Sequence, residues 1–236
     1  MPNITKSRIR PVTRDRDIRA ALIPSLREKY IYSSQDLVIE EFGCNSARVD
    51  VAVVNGVLHG FEIKSDSDST YRLQDQLQAY AGVFDFITVV TGKRLLHAVR
   101  SMAPKHCGLV LAEYVDGQVR LIEKRKAQKN PNQRAMDIAR MMWRDEALHV
   151  LRSRGYKCVN TRSSANEIWA AAAAHIKIPA LANELRSAIK LRGGSESAMR
   201  SKPSDGSCTI GSTALLDHYS ENLAQLLSVL SPDRLD

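Results

Sequence analysis

Asp50 sits mid-run among Val49, Val51, Val53 and Val54, and twelve residues later Glu62 and Lys64 flank Ile63 in the segment Phe61-Glu-Ile-Lys64. A strand repeats every two residues, so Glu62 and Lys64 share a face. Charges inside apolar strands cost desolvation energy unless they are paired or bind a cation. A carboxylate on each of two adjacent strands makes an all-oxygen site suited to Mg²⁺ or Mn²⁺. A lysine beside it could orient an attacking water and stabilise charge developing on a phosphate. Glu-x-Lys alone is more often an exposed salt-bridging pair. The preceding Asp50 strengthens the catalytic reading, as does Glu41, nine residues before Asp50 at the end of an earlier strand. Gln76 and Tyr80, four apart, are neighbours on one face of a following helix.

This chemistry depends on strand register. A strict two-residue turn at Asn55-Gly56 would pair Asp50 with Phe61 and turn Asp50 and Glu62 to opposite faces. The site therefore requires an odd loop, Asn55–Val57, or a bulge.

Other candidates are weaker. Glu40 must point away from Glu41. Asp66 and Asp68 fit a helix-capping loop better than a metal site. His59, three residues before Glu62, falls on the opposite face, as a packed or solvent-facing histidine. His106, His149, His175 and His218 lack partners at ligand spacing. No Gly-rich phosphate loop is present: Gly193-Gly194 has neither the strand nor the lysine it needs.

The elements that must position these residues follow from periodicity. Ile18, Leu22, Leu26 and Tyr30 mark a helix over 15–30, with Thr13 as its cap. Strands are expected at 36–42, 48–54 and 57–64, then a helix over 70–84 with Leu73, Leu77, Tyr80, Ala81 and Phe84 on one face. A strand at 85–91, a helix at 93–102 and a hairpin around Val115-Asp116-Gly117 complete this part. The order predicts a mixed α/β fold, an αβββαβ core with a central mixed sheet. Beyond Pro131 the pattern is helical: 133–153 as one helix, with Trp143 packed between the helical half and the sheet, then 165–176 and 179–191. We expect a core over 1–128, a helical region over 129–192 packed on it, a Ser/Gly-rich linker over 193–212 and an amphipathic helix over 213–236.

Composition sets outer bounds. The 236 residues are 44% hydrophobic and 25% charged, ordinary for a soluble globular chain. The longest apolar stretch, near Ile168–Ile176, is about half a membrane span. Residues 1–20 lack the apolar core of a secretory signal. Four scattered cysteines form neither a zinc pattern nor a disulfide scaffold, so the expectation is a cytoplasmic protein with reduced thiols. A formal charge of +8 favours an anionic partner. Arg8 to Arg19, Lys93, Arg94, Lys105, Lys124, Arg125 and Lys126 could contact phosphates, although each cluster also fits a solvated face.

Together, Glu41, Arg48-Val-Asp50, Glu62-Ile-Lys64 and Gln76-x-x-x-Tyr80 resemble the PD-(D/E)xK nuclease superfamily, with its restriction-endonuclease-like core. Residues 39–90 look like a small bacterial group of that superfamily through "GFEIKSDSD", Arg72-Leu73 and Val83–Asp85, and the Gln-x-x-x-Tyr element is similar to that of RecB-like nucleases. The resemblance covers the first half of the chain well and the helical half loosely. Val49 stands where the family name has proline.

The resemblance implies a Mg²⁺-dependent phosphodiesterase acting on DNA. Asp50 and Glu62 would ligate the metal with the Ile63 carbonyl, and Lys64 would position the water. Glu41 would support a second metal or the water shell of the first. Gln76 and Tyr80 would contact the water, the Lys64 amine or the phosphate. DNA repair, mobile elements and phage defence are the implied settings. The rivals are a silent nuclease-fold module that binds nucleic acid or regulates, and an RNA nuclease. The last helix is a candidate surface for a homodimer or a protein partner.

Overall fold

The computed structural model describes residues 12–193. The expected helix over 213–236 and all of the linker but Gly193 lie outside the described residues, as does His218.

The first helix, α1, covers Asp15–Tyr30. Ile18, Leu22 and Leu26 form its buried stripe, and Asp15 and Asp17 suit the positive end of its dipole. Its N-cap is Arg14 rather than Thr13. Thr13 turns inward, where its amide and hydroxyl donate to Asp66 Oδ2 at 3.1 and 2.9 Å. A buried carboxylate elsewhere in the chain outcompetes the local cap.

Three strands follow: β1 (Leu37–Cys44), β2 (Ala47–Val54) and β3 (Leu58–Lys64). Helix α2 (Leu73–Ala81) leads to β4 (Phe86–Gly92), and α3 (Leu96–Met102) to β5 (Gly108–Val115) and β6 (Gln118–Arg125). The six strands form one mixed sheet in the order β1-β2-β3-β4-β5-β6. Strands β3, β4 and β5 run parallel, and the remaining neighbours are antiparallel. The αβββαβ order expected from periodicity is the order observed.

Both hairpin signals correspond to turns. Val115 pairs with Gln118 across Asp116-Gly117. These two residues have φ of 52° and 80°, the left-handed backbone a tight hairpin turn needs. The Asn55 turn is longer: Val54 pairs with Leu58, leaving a three-residue loop, Asn55–Val57. The Asn55 side chain holds it, accepting from the Val57 amide at 3.0 Å and donating to the Tyr30 carbonyl at 3.0 Å.

The sheet is covered on both sides. On one face Ile18, Leu22 and Leu26 of α1 pack on Val51, Val53, Phe61, Ile63 and Val90. On the other, α2 and the helical region share a continuous apolar cluster with Val49, Ala52, Leu58, Ile87 and Val89. Strand β3 is buried along nearly its whole length, as expected of a strand between two layers.

The helical region comprises α4 (Ala135–Met141), α5 (Arg144–Ser153), α6 (Ala165–His175) and α7 (Ile178–Leu191). The single helix expected over 133–153 is therefore two. Met142 and Trp143 are extended, and the Trp143 amide donates to Glu146 Oε2 at 2.7 Å, starting a new helix. The Trp143 ring lies 4.5 Å from the Arg192 guanidinium, a contact within the helical region. The region is tied to the core through Asp85, whose buried carboxylate meets Arg186 of α7 at 3.0 Å and Lys129 at 3.1 Å and accepts from the Leu58 amide at 2.9 Å. No helix among the described residues is long and apolar enough to cross a membrane.

Candidate active site

The last pairs of the β2/β3 ladder are Val54–Leu58, Val53–His59, Ala52–Gly60 and Val51–Phe61. One further step in this register sets Asp50 opposite Glu62. The three-residue loop thus produces the facing that the site requires.

Beyond Val51 the ladder stops and the strands part. Asp50 occupies the fork: its Oδ2 accepts from the Ile63 amide at 2.6 Å, a donor the ladder no longer engages. On the other side, β1 pairs with β2 through Glu40–Val51 and Phe42–Val49, and pairing is interrupted between them, at Glu41 and Asp50. Glu41 there has φ of 53°, left-handed backbone that a non-glycine residue adopts at a cost of about 1–3 kcal/mol.

Glu62 is 1% exposed, and both of its oxygens have partners. Lys64 Nζ lies 2.6 Å from Oε1, and the Tyr80 hydroxyl donates to Oε2 at 2.7 Å. The same hydroxyl is 2.7 Å from the Arg48 carbonyl, so one proton faces two acceptors. Burial and the Glu62 charge push the Tyr80 phenol far above its ordinary range, keeping it a neutral donor. Asp50 is pushed up to about 7, by burial first and by the Glu62 charge second, against the opposing pull of the Ile63 amide and Arg19. Two carboxylates in a partly dry fork carry more negative charge than their surroundings compensate.

Gln76 lies one helical turn before Tyr80. Its Oε1 is buried and has no hydrogen-bond partner. A buried unsatisfied oxygen is costly and marks a place for a donor or a cation. Among the described residues no three His, Cys, Asp or Glu side chains form a ready-made metal cage. A metal here would rest on two carboxylates, a backbone oxygen and water, a donor set that suits Mg²⁺. Such an ion would draw on the facing Asp50 and Glu62 carboxylates, and Gln76, with its orphan oxygen, stands one helical turn from Tyr80, which contacts Glu62.

Arg19 of α1, read from the sequence only as part of a basic run that could contact phosphates, instead turns its guanidinium onto the acidic residues of this site. It reaches Glu41 Oε1 at 2.9 Å, Asp50 Oδ1 at 3.3 Å and the Asp50 carbonyl at 3.0 Å. It also meets Glu40 Oε2 at 3.5 Å, so Glu40 and Glu41 approach the same cation rather than turning apart. Glu41 Oε2 is taken by Arg48 at 2.7 Å. The available signal was helical spacing: Arg19 stands three residues before Leu22 and borders the buried stripe of α1.

The remaining candidates are structural or peripheral. Asp66 is buried and accepts from Thr13 and the Arg94 amide, and Asp68 accepts from Ser65, so both serve the turn after β3. His59 stacks on Phe61, and its Nε2 is 2.9 Å from Thr88 Oγ1. Burial drives its imidazole down to about 3, so it stays neutral. Among the basic candidates, Arg125 donates to the Cys107, Ala103 and Pro104 carbonyls. Arg94 Nη1 donates to the Asp66 carbonyl at 3.1 Å. Lys93, Lys105, Lys124 and Lys126 are exposed.

Among known proteins, protein cII of Enterobacteria phage P4 is 33% identical over 108 residues, 45% of this chain. The matched segment spans about two fifths of that phage protein, 41% of its length. A solved protein of unknown function from Silicibacter pomeroyi is similar over 58% of this chain and 89% of its own, at 20% identity and a TM-score of 0.32, too distant to inform the site. The family model described as bacteriophage P4 protein cII matches residues 10–205, more than four fifths of the 236 residues. The chain belongs to the bacteriophage P4 protein cII family.

Proposed function

We propose that this chain is a divalent-metal-dependent nuclease of the PD-(D/E)xK kind, hydrolysing DNA phosphodiesters. The observation that carries the reading is the register that sets Asp50 opposite Glu62, with Lys64 on the same face of β3 as Glu62 and 2.6 Å from its carboxylate. Strands that served only as scaffold would gain nothing from two facing carboxylates at a fork.

A Mg²⁺ or Mn²⁺ ion held by Asp50, Glu62 and the Ile63 carbonyl would polarise the phosphate and acidify a bound water. Lys64 orients the attacking water and donates to a phosphate oxygen. Tyr80 holds Glu62 in place as a neutral donor. Gln76 offers its free oxygen to the water. The water oxygen bonds to phosphorus and gives its proton up to solvent as the bond to the leaving oxygen breaks, and that oxygen takes a proton from solvent. The exposed lysines Lys93, Lys105, Lys124 and Lys126 supply affinity for the backbone without reading sequence. A relative from a phage is in keeping with a mobile-element setting.

One observation favours a second reading. Both oxygens of Glu62 and both of Asp50 already have protein partners. Such a closed network could hold the fork without a metal, leaving a module that binds nucleic acid or regulates. Labelled DNA duplex, single strand and RNA, each incubated with Mg²⁺ or EDTA, separate the readings. Metal-dependent loss of DNA supports the nuclease, loss of RNA alone makes it a ribonuclease, and binding without loss supports the module.

A further inference from the structure

We propose that the Arg19 guanidinium is the built-in second cation of this site, occupying the place between Glu41 and Asp50 so that the site takes a single divalent ion. The inference rests on the metal-dependent reading above and deepens it.

Two carboxylate pairs are available at the fork. Asp50 faces Glu62 on one side, and Glu41 stands beside it on the other, at the interruption of the β1/β2 ladder. In a two-ion site Asp50 would bridge, with Glu62 holding one ion and Glu41 the other. Here the Glu41 side is filled. Nη2 of Arg19 lies between Glu41 Oε1 and Asp50 Oδ1, at 2.9 and 3.3 Å, and Nη1 adds the Asp50 carbonyl at 3.0 Å. The acceptors a second ion would need are therefore those the guanidinium engages.

The placement is built in. Asp15 fixes Nε from within α1, at 3.2 Å. The Arg19 side chain is only 17% exposed, so it is not a surface arginine that swings in by chance. Glu41 reaches it from left-handed backbone, a conformation that costs energy and persists where its surroundings impose it. Arg48 takes the other Glu41 oxygen, so that carboxylate already has two positive partners. By contrast, Lys64 is the only cationic side chain paired with Glu62 among the described residues. An arginine is suited to the Glu41 side: its charge is permanent and its planar donors match carboxylate geometry.

The test counts bound Mn²⁺ by electron paramagnetic resonance, on the full chain without nucleic acid. Wild type should bind one ion per chain. Arg19→Ala and Arg19→Gln should bind two, the second more weakly, and Arg19→Lys should remain at one because it keeps the charge. Two ions on wild type would overturn the inference and leave the nuclease reading intact. One ion on both neutral variants, verified as folded by circular dichroism, would overturn it also. No ion on wild type or on any variant would overturn both. Should Arg19→Ala and Arg19→Gln not fold, the wild-type count beside Arg19→Lys still decides: one ion on each supports the inference and two on either overturns it.

Discussion

Asp50 stands opposite Glu62 one step beyond the last β2/β3 pair, Val51 with Phe61, and its carboxylate takes the Ile63 amide that the parted ladder leaves over. Two acidic side chains are thereby held close at the mouth of an apolar sheet. This relationship costs stability in the metal-free protein, and its effects are measurable.

The first concerns pH. The folded state holds the Asp50 proton up to about 7, while the unfolded chain releases it near 3.8. Between these values the folded state binds more protons, so metal-free stability falls as pH rises and the loss is complete above 7. Its size is on the order of 2–4 kcal/mol. Urea melts in EDTA at pH 5 and pH 8 should show wild type weaker at pH 8. Asp50→Asn should flatten the difference and be the more stable protein at pH 8. A wild type equally stable at both values would contradict this.

Tyr80→Phe removes the hydroxyl from Glu62 Oε2 and leaves a buried carboxylate oxygen unsatisfied. The expected destabilisation is about 1–3 kcal/mol. The ring should stay in place, because it packs edge-on against Phe84 at 5.8 Å. Denaturant midpoints measure the loss, and cleavage should weaken without a change in DNA affinity.

Lys64→Met keeps much of the side-chain length and removes the charge beside Glu62. Cleavage should fall by about 10²–10⁴-fold, the range for loss of one positioned polar catalytic group. DNA binding, followed by fluorescence anisotropy in Ca²⁺, should be nearly unchanged. A parallel loss of binding would make Lys64 a phosphate anchor.

Arg186→Ala tests the tie between α7 and the sheet. It withdraws one partner from Asp85, which is 2% exposed and keeps Lys129 at 3.1 Å. The expected cost is about 2–4 kcal/mol, below that of a fully orphaned charge. Limited proteolysis should show cleavage beginning in α4–α7.

The αβββαβ order was legible because local periodicity and turn chemistry agree with the tertiary fold. The three-residue loop was legible for another reason: only odd spacing lets Asp50 and Glu62 share a face. The break at Met142-Trp143 was hidden, since the apolar spacing of α4 and α5 continues across it. Thr13 looked like a cap because its rival, Asp66, lies 53 residues away. Arg19 was hidden among the basic residues of the N-terminal segment. Nothing local says that its guanidinium turns toward Glu41 and Asp50, because that depends on how α1 crosses the sheet.

The central claim is metal-dependent hydrolysis by the Asp50, Glu62 and Lys64 set. The most direct measurement is cleavage of plasmid, linear and single-stranded DNA with Mg²⁺, Mn²⁺ or EDTA, using wild type beside Asp50→Ala, Glu62→Gln and Lys64→Ala. Cleavage by wild type with either metal, absent in EDTA and lost in all three variants, is the predicted result. DNA bound but left intact by wild type under every condition, or cleavage that survives Asp50→Ala, would contradict it.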